Sequence, residues 1–156
     1  MLMHEGPADE LATVEAVAKL LRSARRPLFI TGAGISADSG LPTYRGIGGL
    51  YHARLTDEGF AIEEALSARV LASHPHVTWK YLMEIERTCR NAGPNAAHRV
   101  LAALEGKIPE GWLLTQNIDG LHRAAGSHKL TEIHGTLHHL HCTACDWKQE
   151  CDSFAD

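Results

Sequence analysis

The sequence predicts an α/β fold in which helices cover a parallel sheet. Two short apolar segments, "RPLFIT" and "GWLLTQN", have the length and composition of buried strands. Helical segments lie between them, and this alternation is typical of a parallel sheet. A glycine-rich turn, "TGAGIS", follows the first strand, and a polar turn, "TQNIDG", follows the second. Because ligands in such sheets bind at the carboxyl ends of the strands, we expect both turns at one functional edge.

The remaining elements follow from periodicity and from proline and glycine. The first helix is predicted from apolar residues at helical spacing, namely Leu11, Val14, Val17 and Leu21. The segments "AIEEALSARVLA" and "HVTWKYLMEIERTCR" are also predicted to be helical. A third helix, in "PNAAHRVLAALEG", is expected to have Pro94 near its first turn and Gly106 just past its end. The segment "HKLTEIHGTLHHLHC" is strand-like and broken at Gly135.

Composition limits the class of protein. A chain of 156 residues that is 44% hydrophobic suits one globular domain with a real core. A net charge of −4 offers no basic surface, so no nucleic-acid partner is expected. The N-terminus lacks the pattern of a signal peptide, and no apolar run is long enough to span a bilayer. We therefore expect a cytoplasmic protein with no membrane partner.

The cysteines predict half of a metal site. Cys142 and Cys145 have the C-x-x-C spacing, which without an export signal favours metal or redox chemistry over a disulfide framework. A structural zinc ion needs four ligands. Cys151 with a nearby histidine such as His141 could complete the set, but an incomplete site is the preferred interpretation.

The glycine-rich turn has a phosphate-binding pattern. Gly32, Gly34 and Ala37 fit G-x-G-x-x-[G/A] directly after a strand, where backbone N–H groups can approach a pyrophosphate. Alone, this pattern is equally compatible with an ordinary glycine turn. A dehydrogenase would also need an acidic residue after a second strand, whereas Asp57 and Glu58 follow a glycine-rich loop. Hydride-transfer chemistry is therefore not supported.

Four segments in order, "GAGISADSGLPTYRG", "TQNIDGLH", "EIHGTL" and "CTAC", resemble the sirtuins, the NAD-dependent protein deacylases. The resemblance extends from about Arg26 to the end of the chain. It implies that residues 1–136 are part of a Rossmann-like NAD-binding domain with a cofactor loop and a helical insert. Residues 137–156 would begin a small zinc-ribbon module, with Cys142 and Cys145 as zinc ligands. The implied substrate is an acylated lysine on a protein.

The resemblance also implies roles for individual residues. His134 would be the catalytic histidine that removes a proton from a ribose hydroxyl, which suits a side chain that exchanges protons near neutral pH. Asn117 is the second residue implied in catalysis and would hydrogen-bond ribose hydroxyls as donor and acceptor. Asp119 would accept a hydrogen bond from the nicotinamide amide. The residues implied in NAD binding are Gly32, Ala33, Gly34, Ile35, Ser36, Tyr44, Arg45, Gln116, Asn117, Ile118, Asp119 and His134.

The loop from Leu41 to Phe60 has no periodicity and is rich in glycine. A loop of this length is usually functional or disordered, and here it would close over NAD and exclude water. Taken singly, His134 could be a surface residue and "QNID" a polar turn. The four segments in order outweigh both of these interpretations.

Other residues receive structural interpretations. His138, His139 and His141 are interpreted as exposed edge residues, with a smaller chance of adventitious metal binding. Trp79, Tyr81 and Leu82 lie on a predicted helix and are expected to pack on the core or the loop. Sirtuins specialised for acidic acyl groups carry a Tyr-x-x-Arg pair in this helix. The corresponding positions hold Leu82 and Ile85, which favours a neutral acyl group such as acetyl.

The sequence resembles the N-terminal portion of a sirtuin, estimated at two thirds. No second cysteine pair and no "GTS"-like phosphate loop is present. We expect an exposed sheet edge, poor stability and weak or no deacylase activity for this chain alone. Alternatives are a protein ADP-ribosyltransferase, a non-enzymatic module that binds NAD or peptide, and, least favoured, a zinc-ribbon-like interaction module.

Overall fold

Three parallel strands form the main sheet. The computed structural model describes residues 7–42, 55–151 and 153–154. The strands are β1 (Leu28–Thr31), β2 (Trp112–Thr115) and β3 (Leu130–Glu132), in the spatial order β1-β2-β3. Both pairings are parallel, with Thr31 opposite Thr115 and Thr115 opposite Glu132 at the carboxyl ends. The predicted parallel sheet is confirmed, and the three carboxyl ends meet at one edge.

Helices occupy the connections between the strands, which gives a Rossmann-like arrangement. α1 (Pro7–Ser23) precedes β1, and a 3-10 segment (Ala33–Ser39) follows it. The other helices are α2 (Ile62–Ala65), α3 (Ala68–Ser73), α4 (Pro75–Cys89), α5 (Ala96–Lys107) and, between β2 and β3, α6 (Leu121–Ala124). None of the helices in the described part of the chain has the length and apolar character needed to cross a bilayer.

Two helix predictions need correction. The segment "AIEEALSARVLA" forms two short helices, because the Ser67 side chain accepts a hydrogen bond from Val70 N and starts α3 anew. The helix in "PNAAHRVLAALEG" begins at Ala96, with Asn95 as its N-cap. Pro94 therefore precedes the helix, and Gly106 lies inside it.

The helices α2, α3 and α4 share a small apolar core. Its buried residues are Ile62, Ala65, Val70, Val77 and Tyr81. Tyr81 thus packs in the core as predicted. Trp79 of the same helix is 41% exposed, and its ring contacts Phe154 edge-on at 6.0 Å between centroids. The three helices thus share a buried apolar core of their own.

The strand predicted across Gly135 is two strands in different sheets. Gly135 has a φ of +80°, a left-handed conformation that ends the extended chain. β3 lies before it in the main sheet, and β4 (His139–His141) lies after it. β4 pairs antiparallel with β5 (Lys148–Glu150), and the connection between them holds the C-x-x-C pair.

Apolar side chains of the first helix and strand face solvent. Leu28 and Ile30 of β1 are 55% and 64% exposed. The exposed apolar residues of α1 are Leu11, Val14, Val17 and Leu20. β1 also lies at the end of the strand order, so one edge of the described sheet carries an apolar surface.

Candidate functional site

The two turns predicted to be functional meet at the carboxyl edge of the sheet. Gln116 N donates to the carbonyl oxygen of Thr31 at 3.0 Å, which continues the β1–β2 pairing beyond the strands. Asn117 Nδ2 donates to the carbonyl oxygen of Gly32 at 3.0 Å. The turn after β1 and the turn after β2 therefore form one polar surface, as the strand order requires.

A cavity of about 690 Å³ opens beside these turns. This volume lies within the range usual for small-molecule sites. The predicted site residues on its wall are Ala33, Ser36, Gln116, Asn117, Ile118, Asp119 and His134. Leu82 and Ile85 of α4 line the same cavity, so the helical insert closes one side of it. Tyr44 and Arg45, also predicted to bind the cofactor, lie outside the described residues.

The glycine-rich turn is a 3-10 segment with open space beside Gly34. Gly32 is extended, with φ −144° and ψ −169°, a conformation open to any residue. An added Cβ would lie 3.8 Å from Gln116 Nε2 at Gly32 and would meet no atom within 4 Å at Gly34. The two glycines are thus not required by backbone strain. Between Gly32 and Gly40, the two caps of the segment, the glycine with positive φ is Gly40, at φ 81°.

Asn117 is the buried centre of a hydrogen-bond network. Its side-chain nitrogen donates to Gly32 O and, at 3.1 Å, to Ser36 Oγ. Ser36 Oγ in turn donates to Asp119 Oδ2 at 2.7 Å. Both amide hydrogens of Asn117 are therefore engaged within the protein. Asn117 was predicted to act as both hydrogen-bond donor and acceptor toward a ligand. In this arrangement it can act as an acceptor through Oδ1, because both of its amide hydrogens already have partners.

Asp119 connects the cavity wall to α6. Its Oδ1 atom accepts a 3.0 Å hydrogen bond from Leu121 N at the start of that helix. Its Oδ2 atom holds Ser36. Each carboxylate oxygen has a second lone pair, so the group can still accept a hydrogen bond from a ligand amide.

His134 follows β3 and faces the cavity with a defined ring orientation. Its Nδ1 atom lies 3.0 Å from the main-chain carbonyl oxygen of Gln116. A carbonyl oxygen can only accept, so Nδ1 carries the hydrogen. In the neutral ring the lone pair then lies on Nε2. This arrangement suits a group that takes up a proton.

A buried polar layer supports the site from below, and the sequence reasoning missed it. Thr31 Oγ1 donates to Thr115 Oγ1 at 2.8 Å and lies 2.9 Å from His122 Nε2. The rings of His98 and His122 meet edge-on, 4.7 Å between centroids, and both are almost fully buried. Burial, with a smaller contribution from His98, lowers the pKa of His122 to about 4. In the sequence, the histidines of "PNAAH" and "GLH" could have indicated this buried layer.

Asn95 is a second residue that the sequence reasoning missed. Its side chain caps α5 and also donates to Ile35 O at 2.7 Å and to Ser39 Oγ at 3.1 Å. The predicted helix included Asn95, although asparagine is a favoured N-cap residue. Its contact with the glycine-rich turn depends on tertiary structure.

The cysteine pair sits on the β4–β5 hairpin. Cys142 N donates to Trp147 O at 2.9 Å, and Ala144 N approaches Cys142 Sγ at 3.4 Å. The amide of Ala144, followed by the Cys145 thiol, lowers the pKa of Cys142. Within the described ranges, no group of three or more metal-binding side chains is present. The zinc-ribbon module predicted for residues 137–156 is therefore not shown by the described residues.

Cys151 and His138 lie apart from this pair. Cys151 Sγ lies 3.8 Å from Leu137 O, and the Cys151 carbonyl accepts from His138 Nδ1 at 3.2 Å. The interpretation of His138 as an exposed residue is wrong, because its ring is half-buried against Gly120. His139 and His141 are exposed as predicted.

Asp57 and Glu58 also have a structural explanation. Lys80 Nζ lies 2.8 Å from Asp57 Oδ2 and 2.8 Å from Glu58 Oε1. The Tyr81 hydroxyl donates to Glu58 Oε2 at 2.8 Å. These carboxylates therefore hold the segment before α2 against α4.

Comparison with known proteins identifies the family. The model of the Sir2 family matches residues 32–156, and the chain belongs to this family. The resemblance to sirtuins is thereby confirmed. The chain is 54% identical over 139 residues to NAD-dependent protein deacylase 2 of Pseudomonas aeruginosa, and the match covers 88% of this chain and 54% of the relative. It is 39% identical to an NAD-dependent protein deacylase of Thermococcus kodakarensis, covering 85% of this chain and 49% of the relative.

Solved structures agree on the fold. A Sir2 homologue in complex with NAD superposes with a TM-score of 0.75 at 35% identity, covering 89% of this chain and 52% of that one. A Sir2 variant bound to a deacetylated p53 peptide and 3′-O-acetyl ADP-ribose superposes with a TM-score of 0.75 at 34% identity, covering 88% of this chain and 53% of that one. The chain spans about half the length of the curated relatives it matches, rather than two thirds.

Proposed function

We propose that this chain carries the nicotinamide-side half of an NAD-dependent protein-lysine deacylase site. The observation that carries the proposal is the convergence of the two turns and His134 on one cavity wall. The orientation of His134, with Nδ1 directed to Gln116 O, leaves Nε2 as the proton acceptor. Family membership and deacylase relatives support the same reaction class.

The described residues fit NAD as a co-substrate. Bound NAD would supply an ADP-ribose group that receives the acyl group while nicotinamide leaves. Backbone N–H groups of the turn at Gly32 to Ser36 would bind the diphosphate, and the turn would border the nicotinamide. Asn117 Oδ1 would accept from a ribose hydroxyl, and Asp119 would accept from the nicotinamide amide. His134 would take the proton of a ribose hydroxyl and thereby raise its nucleophilicity.

The acyl group is proposed to be neutral. Leu66, Leu82 and Ile85 give the helical side of the cavity an apolar surface, and Glu63 is a charged member of the wall. Among the described lining residues no lysine or arginine is available to pair with an acidic acyl group. An acidic group there would be desolvated without a partner and repelled by Glu63. We expect an acetyl-lysine peptide to be used at least tenfold better than a succinyl-lysine peptide, and equal use would contradict the proposal.

Zinc is proposed as a structural ion held in part by Cys142 and Cys145. The hairpin connection presents both thiols, and the amide of Ala144 next to Cys142 Sγ favours the thiolate that zinc needs. A tetrahedral site takes two further ligands from outside the described pair. Substitution C142S should reduce the zinc content of the purified protein, measured by elemental analysis, whereas C89S should not.

We also propose a cytoplasmic location, in keeping with reduced thiols.

The deacylase proposal is tested with the purified chain, an acetyl-lysine peptide and NAD. Mass spectrometry follows nicotinamide, the deacetylated peptide and the acetylated ADP-ribose product. We expect slow product formation that is lost in His134→Ala and kept in the matched control His139→Ala, since His139 lies exposed on β4. Product formation that is unchanged in His134→Ala would contradict the catalytic assignment.

The same experiment separates two other activities. Transfer of ADP-ribose to a protein would increase the mass of that acceptor protein, whereas deacylation decreases the mass of the acylated peptide. The other alternative is a non-enzymatic module that binds NAD or peptide. In that case NAD or peptide would bind by calorimetry, no product would form, and binding would survive His134→Ala.

A further inference from the structure

We propose that Asn95 is a positioning residue that fixes the glycine-rich turn by using the start of α5 as its support. The inference rests on the proposed function, because it concerns the turn assigned to NAD. Asn95 lies outside the cavity wall and outside all four segments that carry the family resemblance. Its role follows from contacts made on both sides of one amide group.

The acceptor side of the Asn95 amide belongs to α5. Its Oδ1 atom accepts from Ala97 N at 3.0 Å and from His98 N at 3.4 Å. In turn, Asn95 N donates to His98 Nδ1 at 3.3 Å. This reciprocal arrangement is a capping box, in which the cap and the third helical residue satisfy each other's backbone groups. The Asn95 side chain is therefore held in one orientation by the helix.

The donor side of the same amide belongs to the turn. Asn95 Nδ2 donates to Ile35 O at 2.7 Å and to Ser39 Oγ at 3.1 Å. These two contacts bracket Ser36, whose hydroxyl bonds Asp119 and Asn117 on the opposite side. The 3-10 segment is thus held between two asparagines, with Asn117 on the cavity side and Asn95 on the side of α5.

The position of this segment depends in part on contacts from outside it, two of which come from Asn95. Ile35 N bonds Gly32 O within the segment, and Gly34 is exposed with no neighbouring atom where a Cβ would stand. A 3-10 segment has poorer hydrogen-bond geometry than an α-helix and depends on outside contacts. Loss of the Asn95 donors would let the backbone at Ile35 leave the position that borders the cofactor.

The test uses Asn95→Asp, which separates the two sides of the amide. Aspartate keeps the acceptor that caps α5, since both residues are good N-caps. It removes the Nδ2 donor and places an oxygen against Ile35 O. Hydrogen exchange of backbone amides is measured separately for residues 33–40 and 96–107. We expect exchange in residues 33–40 to rise by about tenfold, the effect of losing two hydrogen bonds, with little change in residues 96–107.

A second variant and a binding measurement complete the test. Ser39→Ala removes one of the two turn contacts without touching the cap, so a smaller rise confined to 33–40 is expected even if Asn95→Asp folds poorly. NAD affinity should fall by about tenfold in Asn95→Asp, while affinity for an acyl-lysine peptide stays unchanged. Unchanged exchange in residues 33–40, or an equal rise in α5, would overturn the proposal. If the unsubstituted chain binds no NAD, the proposed function fails, and the exchange data still decide the role of Asn95.

Discussion

The Ser36 hydroxyl donates a 2.7 Å hydrogen bond to Asp119 Oδ2, and the two residues lie 83 positions apart in the sequence. The contact joins the turn after β1 to the turn after β2 at the edge where the strands end. Ser36 is 2% exposed, so its hydroxyl must find partners inside the protein. The serine therefore fixes the relative position of two segments that both border the cavity.

Replacement of Ser36 by Ala should weaken NAD binding by about tenfold, since it leaves Asp119 Oδ2 and one amide hydrogen of Asn117 without their partner. Isothermal titration calorimetry measures the effect. Ser73→Ala is the matched control, because Ser73 is exposed and bonds only within its own helix and to a neighbouring ring. Equal NAD affinity in Ser36→Ala and the unsubstituted chain would contradict this role.

Substitution of Gly120 by Ala should destabilise the protein more than the same change at Gly126. Both glycines have positive φ, +72° and +98°, so both alanines pay a similar backbone cost of about 1 kcal/mol. A Cβ at Gly120 would in addition clash with His138 Nε2, whereas Gly126 has open space. Urea unfolding should show roughly twice the loss for Gly120→Ala.

The double variant Gly120→Ala with His138→Ala isolates the steric contribution. Removal of the imidazole should restore part of the stability lost by Gly120→Ala, which a double-mutant cycle reports as a coupling free energy. If the losses of the two single variants simply add, His138 does not pack on Gly120 as the structure shows.

The buried histidines predict a loss of stability at mildly acidic pH. The pKa of His122 is lowered to about 4 by burial and then by His98, while an unfolded histidine titrates near pH 6.5. Between these values the unfolded state binds more protons, so the free energy of unfolding falls as pH falls. The loss from His122 should reach about 2 kcal/mol between pH 7 and pH 4.5.

His122→Gln provides the comparison, because glutamine retains an amide that can bond Thr31 but does not titrate. Denaturant unfolding is followed at several pH values for both proteins. The variant should lose less stability than the parent over this window. Parallel curves for the two proteins would show that His122 is not the titrating group.

Glu86 should stabilise the fold as a carboxylate. Its side chain is 6% exposed and bonds Arg90 twice, at 2.9 Å and 2.5 Å, which lowers the pKa of Glu86. A lowered carboxyl pKa gives stability that is present above the unfolded value and is lost as pH falls through the folded one. Glu86→Gln should cost about 2 kcal/mol at pH 7 and less at acid pH.

The control for Glu86 is Glu110→Gln. Glu110 forms an exposed 3.6 Å ion pair with Arg26, and such pairs contribute less than about 1 kcal/mol. Chemical unfolding at pH 7 and at acid pH compares the variants. A Glu86→Gln effect that is as small as the control, or constant with pH, would contradict the prediction.

The sequence predicted the elements that depend on local pattern. The strands at Leu28 and Trp112, the helix after Pro75 and the two polar turns were identified because period and turn residues act over short distances. The break inside "AIEEALSARVLA" was missed, because serine is tolerated within a helix. Its role as the N-cap of α3 becomes evident only from the hydrogen bond that the Ser67 side chain accepts from Val70 N. His138 was misplaced because alternation along a strand gives no information about Gly120, which lies in another turn.

The sequence by itself determined the family, the parallel sheet and the residue types at the strand ends, because these are carried by motifs and by hydrophobic period. Tertiary structure alone decided how those residues are used. The amide hydrogens of Asn117, the ring orientation of His134 and the double contact of Asn95 all depend on partners far away in the chain. Hydrogen bonds need atoms within about 3 Å, and only the packed sheet brings such distant groups that close.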